Sequence, residues 1–260
     1  MKTAAILLGA GSGTRMGSEV KKQYLTLCGK PLMYYAIYEF ENSFVDDLIL
    51  VVAPGDEDYV QREIIDRYDL RKVTAVVAGG RERYHSVWNG LQAVRGAEYI
   101  LIHDLARPFV TEDMMLKGLN AAKETGAAVV GVPVKDTIRI TDRDGIGIDT
   151  PNRGSLWAAQ TPQVFEAELI RSCYRKLHAN EEVILSQGKQ ITDDGQVVEL
   201  FSDRRVKMVE GAYFNMKVTV PEDLAAAEVI LKSRSDHRLG GERDGGAVGS
   251  TERYFGTGVR

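Results

Sequence analysis

Hydrophobic residues fall in short blocks separated by amphipathic stretches, and the two alternate along the first half of the chain. The blocks Ala4 to Leu8, Leu48 to Ala53, Val73 to Ala78, Tyr99 to His103 and Ala127 to Val132 are almost wholly apolar. Such runs predict strands buried on both faces. Between them, residues 31–42, 56–68, 84–95 and 111–125 predict helices. Val87, Leu91 and Val94 repeat at helical spacing in the third; Thr111 supplies an N-cap and Gly126 a stop for the fourth. This β-α-β-α order predicts an α/β fold, an open Rossmann-like, mostly parallel sheet with helices on both faces. Ligands of such sheets bind beyond the carboxyl ends of the strands, where strand order reverses.

Residues 134–165 break the rhythm with alternating apolar positions, turn residues and no long helical pattern. They predict an extended β-arm projecting from the sheet. Helices follow near 166–187 and 193–200, then strands near 206–210 and 213–218. A last helix opens at Pro221, with Glu222 and Asp223 at its positive end and Leu224, Ala227 and Leu231 as a core stripe. From Ser233 the periodicity stops, and seven glycines follow Leu239. The expected organisation is one domain over residues 1–232 and a disordered, glycine-rich tail over 233–260.

Composition narrows the function. The 260 residues are 44% hydrophobic and 27% charged, enough for a sizeable core. A formal charge of −4 argues against nucleic acid as the main partner. No apolar run approaches the ~20 residues of a membrane span, so no membrane partner is expected. The opening MKTAAILL has a passing likeness to a signal peptide, but it ends in a glycine loop without a cleavage-like region. Cys28 and Cys173 are far apart and form no C-x-x-C pair, which predicts incidental thiols in a cytoplasmic protein. His85, His103, His178 and His237 form no H-x-x-x-H pair, so a zinc-protease pattern is absent.

The first strand runs into a glycine loop carrying an arginine, the usual setting of a phosphate site. The dinucleotide fingerprint G-x-G-x-x-G fails, because its third glycine falls on Met16 or Thr14. The P-loop pattern fails as well, with Thr14 in place of its second glycine. The opening loop is more specific when read with two later segments: GAGSGTRMG, AGGRERYHSV and IHDLARP each end a predicted strand on the same rim. Small residues let backbone N–H groups approach phosphate oxygens, and Arg15 adds charge-assisted donors. Gly79 and Gly80 suit a flat base, Arg83 and Ser86 open a helix with donors available, and Asp104 could hold Mg²⁺ or a ribose hydroxyl.

The ordered set GAGSGTRMG, KQYL, GG-x-x-R-x-x-SV-x-x-GL, HD-x-ARP, DT, TPQ-x-F, TDD and N-x-K-x-T-x-PEDL covers residues 3–232. It resembles the cytidylyltransferases of alditol phosphates, most closely those acting on 2-C-methyl-D-erythritol 4-phosphate. The resemblance implies CTP and an alditol phosphate as substrates, with Mg²⁺ or another divalent cation as cofactor. It implies catalytic roles for Arg15, Lys22, Arg153 and Lys217. Ala10, Gly11, Gly13, Thr14, Gly79, Gly80, Arg83, Ser86 and Asp104 would bind the nucleotide. Arg107, Thr137, Thr161 and Asp193 would bind the alditol phosphate, with Asp194 an alternative to Asp193. The metal would lie on Asp104 or mainly on the CTP phosphates. A homodimer through the 134–165 arm is implied too, with Arg153 and Thr161 serving the neighbouring subunit's site.

The chain departs from this pattern at Gly9 and Leu105, each in place of alanine, and at Gly195-Gln196 after the acidic pair. Leu105 is expected to alter the nucleotide's fit, and Gly195 to weaken a helix start. Lys21, where the family often has proline, reads as a plain surface lysine. Ribitol 5-phosphate stays open as an acceptor, and a sugar-1-phosphate nucleotidyltransferase shares only the opening loop. In other classes, a dinucleotide-dependent dehydrogenase lacks the glycine spacing. A non-catalytic nucleotide-binding module would require loss of the four cations, all of which are present.

Overall fold

A computed structural model describes residues 1–11 and 21–240. In chain order the elements are β1 (Thr3–Gly9), β2 (Thr26–Leu27), β3 (Lys30–Pro31), α1 (Leu32–Glu41) and β4 (Asp47–Val52). Next come α2 (Glu57–Val60), extended by a π-helical turn over Gln61–Asp66, β5 (Val73–Ala78), α3 (Arg83–Ala93), β6 (Tyr99–Asp104) and α4 (Glu112–Thr125). The second half holds β7 (Ala127–Pro133), β8 (Ile140–Thr141), β9 (Gly147–Asp149), β10 (Trp157–Glu166), α5 (Ala167–Ser186), α6 (Asp194–Phe201), β11 (Lys207–Glu210) and α7 (Pro221–Gly240).

Seven strands form one sheet in the order β11-β7-β10-β6-β1-β4-β5. All pairs are parallel except those of β10, which runs antiparallel between β6 and β7. Alternation along the strands divides the core into two layers. Ala5 and Leu7 of β1 pack with α1, α2 and α4, whereas Ala4 and Ile6 pack with α3, α5 and α6. Both faces of β1 are therefore covered, which is why its sequence is continuously apolar. The chain leaves β1 toward β4 and β5, then crosses back to β6 on the other side of β1. That reversal opens a crevice at the carboxyl ends of β1 and β6.

Three expectations change. Only residues up to 156 leave the sheet; residues 157–165, expected in the arm, belong to the inner strand β10. Pro162 suggests an edge position, since it cannot donate to a ladder. The structure accommodates it where the β10–β7 register shifts, between Ala159 and Gln163. Residues 213–218 form no strand, because β11 already occupies that side of β7. This segment is tied down by isolated bonds such as Val218 N–H to the Ala106 carbonyl, at 2.8 Å. Finally, α7 continues to Gly240, past the expected boundary at Ser233. Its stripe of Leu224, Ala227 and Leu231 packs on Leu27, Leu32, Phe109 and Val218. Residues 241–260 of the expected tail lie outside the described residues.

Helix α3 sits tight on the sheet because Gly90 faces β1 and β4. A Cβ there would lie 2.6 Å from Ile6 Cγ2 and 3.1 Å from Val51 Cγ2. Gly90→Val is expected to destabilise the fold by about 1–3 kcal/mol through overpacking, despite valine's better helix propensity. Urea unfolding of the variant measures this, and an unchanged midpoint would refute the close-packing account.

Candidate active site

A cavity of about 400 Å³ opens at the crevice. Ala10 and Gly11 form one wall, Gly80 and the amino end of α3 another, and Asp104, Lys217 and Lys22 complete it. Two glycines set its shape. A Cβ on Gly79 would lie 2.3 Å from the Ala10 Cβ, and one on Gly80 would lie 2.3 Å from the His85 Cβ. No larger residue fits, so the end of β5 closes against both the β1 loop and α3. The Gly80 N–H donates to Ser86 Oγ at 3.0 Å, and that hydroxyl donates to the Glu82 carbonyl at 3.3 Å. Ser86 thus braces the loop as well as lining the cavity.

Asp104, at the end of β6, is the electrostatic centre. Its Oδ1 accepts from Arg83 Nε at 3.2 Å, and its Oδ2 from Lys217 Nζ at 2.7 Å. Burial alone would push this carboxyl up, but Arg83 and Lys217 outweigh burial and hold it well below the usual carboxylate range. Arg83 is held in turn by Asp194, with Nη1 and Nη2 donating to its two oxygens at 3.0 and 2.8 Å. Asp194 is wholly buried and also accepts from the Tyr174 hydroxyl. Backbone N–H groups of Asp194 and Gly195 donate to Gln163 Oε1 at 3.0 and 2.9 Å.

Of the acidic pair, then, Asp194 reaches the cavity wall through Arg83. Asp193 instead caps α6, accepting from the Gln196 N–H at 2.8 Å. This cap offsets the helix weakness expected of Gly195. Glycine there also allows close packing, since a Cβ would lie 3.0 Å from Val129 Cγ2. Arg107 is turned away from the cavity; its Nη1 donates to the Asn215 carbonyl at 2.9 Å and so steadies the segment carrying Lys217. Burial pushes the Arg107 guanidinium down, with Asp104 offsetting only part of the effect.

Thr161 sits behind Asp104 in the same chain. Its Oγ1 accepts the Asp104 N–H at 3.1 Å and lies 2.9 Å from His103 Nδ1. This corrects the expectation that Thr161 serves a neighbouring subunit: β10 is an inner strand and carries Thr161 under its own site. His103 is wholly buried, with Nε2 3.1 Å from the Arg107 carbonyl. Neutral His103 completes a relay, accepting the Thr161 hydroxyl at Nδ1 and donating from Nε2 to Arg107. Its role is that of a structural hydrogen-bonder.

Leu105 corrects another expectation. Its side chain is wholly buried in the layer beneath β1, away from the cavity. Gly9 faces it, and a Cβ on Gly9 would lie 3.0 Å from Leu105 Cδ1. The two departures from the family pattern are complementary in volume.

Arg153 and Thr137 are exposed on the arm and do not line the cavity of their own chain. Arg153 Nη1 donates to the Lys135 carbonyl at 2.9 Å. Gly13, Thr14 and Arg15 lie outside the described residues. Residues unforeseen from sequence also line the cavity: Gln23, Arg81, Glu82 and Thr219. Gln23 belongs to KQYL and is buried beside Lys22, so that motif was its signal. As for Mg²⁺, both Asp104 oxygens already bond to cations, and the described residues contain no cluster of three metal-ligating side chains. These residues do not fit a protein-held metal.

With this geometry established, comparison with known proteins is specific. The profile of the 2-C-methyl-D-erythritol 4-phosphate cytidylyltransferase family matches residues 3–233. A protein of that name from Lachnoclostridium phytofermentans is 44% identical, covering 90% of this chain and 98% of its own. One from Caldanaerobacter subterraneus is 42% identical over 89% of this chain and 100% of its own. The structure of 4-diphosphocytidyl-2C-methyl-D-erythritol synthase from Anaerococcus prevotii superposes with a TM-score of 0.76 at 34% identity, covering 89% of this chain and 96% of that one. A Thermus thermophilus 2-C-methyl-D-erythritol 4-phosphate cytidylyltransferase gives a TM-score of 0.69 at 28% identity, over 87% and 98%.

The relay under Asp104 has a pH signature. Burial pushes His103 down from 6.5 to about 4. Between those values the unfolded chain binds a proton that the folded chain does not, so stability falls as pH drops through the window. The expected loss is about 3 kcal/mol, complete near pH 4. Urea unfolding at stepped pH should give a shallower slope for His103→Asn over that range; equal slopes would remove His103 as the cause.

Proposed function

The chain belongs to the 2-C-methyl-D-erythritol 4-phosphate cytidylyltransferase family, and on that premise we propose how its residues divide the reaction. The enzyme transfers the cytidylyl group of CTP to 2-C-methyl-D-erythritol 4-phosphate and releases pyrophosphate, a step of isoprenoid precursor synthesis. A phosphate oxygen of the acceptor attacks the α-phosphorus of CTP, and the bond to the β-phosphate oxygen breaks. The nucleophile is already anionic, so no strong general base is needed. Positioning and electrostatics carry the acceleration.

The observation that supports this division most directly is the convergence of Lys22 and Lys217 on one glycine-walled cavity. The backbone of Ala10 and Gly11 receives the triphosphate, joined by Gly13, Thr14 and Arg15 from the loop that follows. Lys22 and Arg15 stabilise charge gathering on the equatorial oxygens of the α-phosphorus. Lys217 grips the acceptor phosphate from a position fixed by Asp104. Gly79, Gly80 and Ser86 shape the base pocket, and Arg83 acts through Asp104. Any divalent cation travels on the triphosphate rather than on Asp104, and no step is assigned to a metal held by the protein.

A homodimer is the second part of the proposal. The arm carries Ile138, Ile140, Ile146 and Ile148 at 41% to 66% exposure, an apolar surface suited to a second copy. Arg153 and Thr137 lie on the same arm and would complete the neighbour's site. A cytoplasmic setting agrees with the two unpaired cysteines, and among the described residues no helix is long and apolar enough to cross a membrane.

The test is pyrophosphate release with CTP and Mg²⁺, offering methylerythritol phosphate and ribitol 5-phosphate in parallel. Release with the first alone is expected; release with ribitol phosphate alone would move the acceptor assignment. Lys22→Ala is expected to lower kcat by about 10² or more while the Kd for CTP rises far less, as for a group acting mainly in the transition state. Equal losses in both would contradict the role given to Lys22.

A further inference from the structure

Lys22 sits on a single 3-10 turn, Lys22–Tyr24, closed by the Tyr24 N–H to the Lys21 carbonyl at 2.9 Å and the Leu25 N–H to the Lys22 carbonyl at 3.1 Å. A turn this short does not hold itself in place. Packing holds part of it, since Gln23 is buried and Tyr24 lies against the core layer that contains α1 and α2. A polar anchor that spans both sides of Lys22 comes from the next loop on the same rim. Asp56, between β4 and α2, receives Lys21 Nζ on both carboxylate oxygens at 2.7 Å and the Tyr24 hydroxyl on Oδ2 at 2.9 Å. The Tyr24 ring packs edge-on against Tyr59, with centroids 5.0 Å apart.

Asp56 occupies the N-cap position of α2, where an aspartate ordinarily accepts a backbone N–H. Here its backbone is helical (φ −93, ψ −2) and its side chain makes no cap bond. Both oxygens are directed to the residues on either side of Lys22 instead. Lys21, expected to be a plain surface lysine, is one jaw of the clamp, and Tyr24 of KQYL is the other.

We infer that Asp56 is a positioning residue for the reaction, locking the Lys21–Tyr24 turn so that Lys22 enters the cavity at a fixed place. The inference rests on the role of Lys22 given above. Lys21 is 39% exposed and Asp56 19%, and an ion pair this close to the surface contributes little to global stability. A misplacement of about 1 Å at a reacting centre, by contrast, lowers a rate by up to about 10²-fold. Loss of the clamp should therefore appear in turnover and not in unfolding.

The experiment is a double-mutant cycle on kcat, with Asp56→Ala, Lys22→Ala and the double variant assayed by pyrophosphate release. KM for CTP and the urea midpoint are measured in parallel. Asp56→Ala alone should lose about 10- to 100-fold in kcat with KM changed by less than about 3-fold. In the Lys22→Ala background it should lose almost nothing further, since the group it positions is gone. Tyr24→Phe, which keeps the ring and the Lys21 contact, should show a smaller loss of the same kind; it carries the test if Asp56→Ala does not fold. An unchanged kcat in Asp56→Ala, or losses that multiply independently of Lys22, would overturn the inference. A Lys22→Ala enzyme with undiminished kcat would instead overturn the role of Lys22 itself.

Discussion

The rim of this sheet depends on one carboxylate kept charged away from water. Asp104 ends β6, almost wholly enclosed, and is bonded to Arg83 on one oxygen and Lys217 on the other. A second buried acid, Asp194, balances Arg83, so two cations and two anions form a chain from α6 to the segment after β11. Such a network is weak evidence for stability as a whole, but removing one member would leave an uncompensated buried charge, at a cost of roughly 3–5 kcal/mol. Its consequence is geometric. Elements more than a hundred residues apart in sequence meet at a single atom pair, and the lysine facing the cavity has a fixed base. Beneath it, the Asp104 N–H, the Thr161 hydroxyl and His103 extend the order into β10.

Close approach is the second constraint. Gly79 and Gly80 let β5 end against Ala10 and His85 with no space for a side chain. Gly9 and Leu105 form a matched pair one layer lower, the missing methyl on one strand leaving room for the larger side chain beyond the other. Each departure looks hazardous when read alone in the sequence. Together they conserve volume, the condition under which packed cores tolerate change.

Fold class and the positions of the first five sheet strands were legible because each is an unbroken apolar run. Both-face burial is the reason for β1, β4, β6 and β7, whereas β5, expected to be buried on both faces, is the half-buried edge strand. The glycine loop, GG-x-x-R and HD-x-ARP were legible as one rim for the same reason: each directly follows such a run. What misled was local. Pro162 and the alternation around it suggest an arm, yet β10 is antiparallel and inner, tolerating proline at a register shift. Tyr213 to Val218 reads as a strand, yet the neighbouring edge of β7 is already taken. Roles left open within motifs have a common cause. Neighbours such as Asp193 and Asp194, or Lys21 and Lys22, are indistinguishable by composition. Only the direction of the side chain separates a cap from a clamp on Arg83, or an anchor from the residue it anchors.

The cations differ in how they are held, and the order is physically sensible for the proposed chemistry. Lys217 is tied through Asp104 to the central sheet, and the Lys22 turn is tied through Asp56 to the loop after β4. Arg153 is exposed on the arm, bonded to one backbone carbonyl. Groups that meet charge developing at phosphorus gain most when they are fixed before the substrate arrives, because any reorganisation adds to the barrier. Lys217 grips the phosphate that supplies the attacking oxygen, so under the proposal above the same demand applies to it. A residue on the arm, which would act in a neighbouring copy's site, tolerates mobility until the two copies meet. A stiff pair of lysines on the sheet side and a loosely held arginine on the arm is the distribution that this distinction requires.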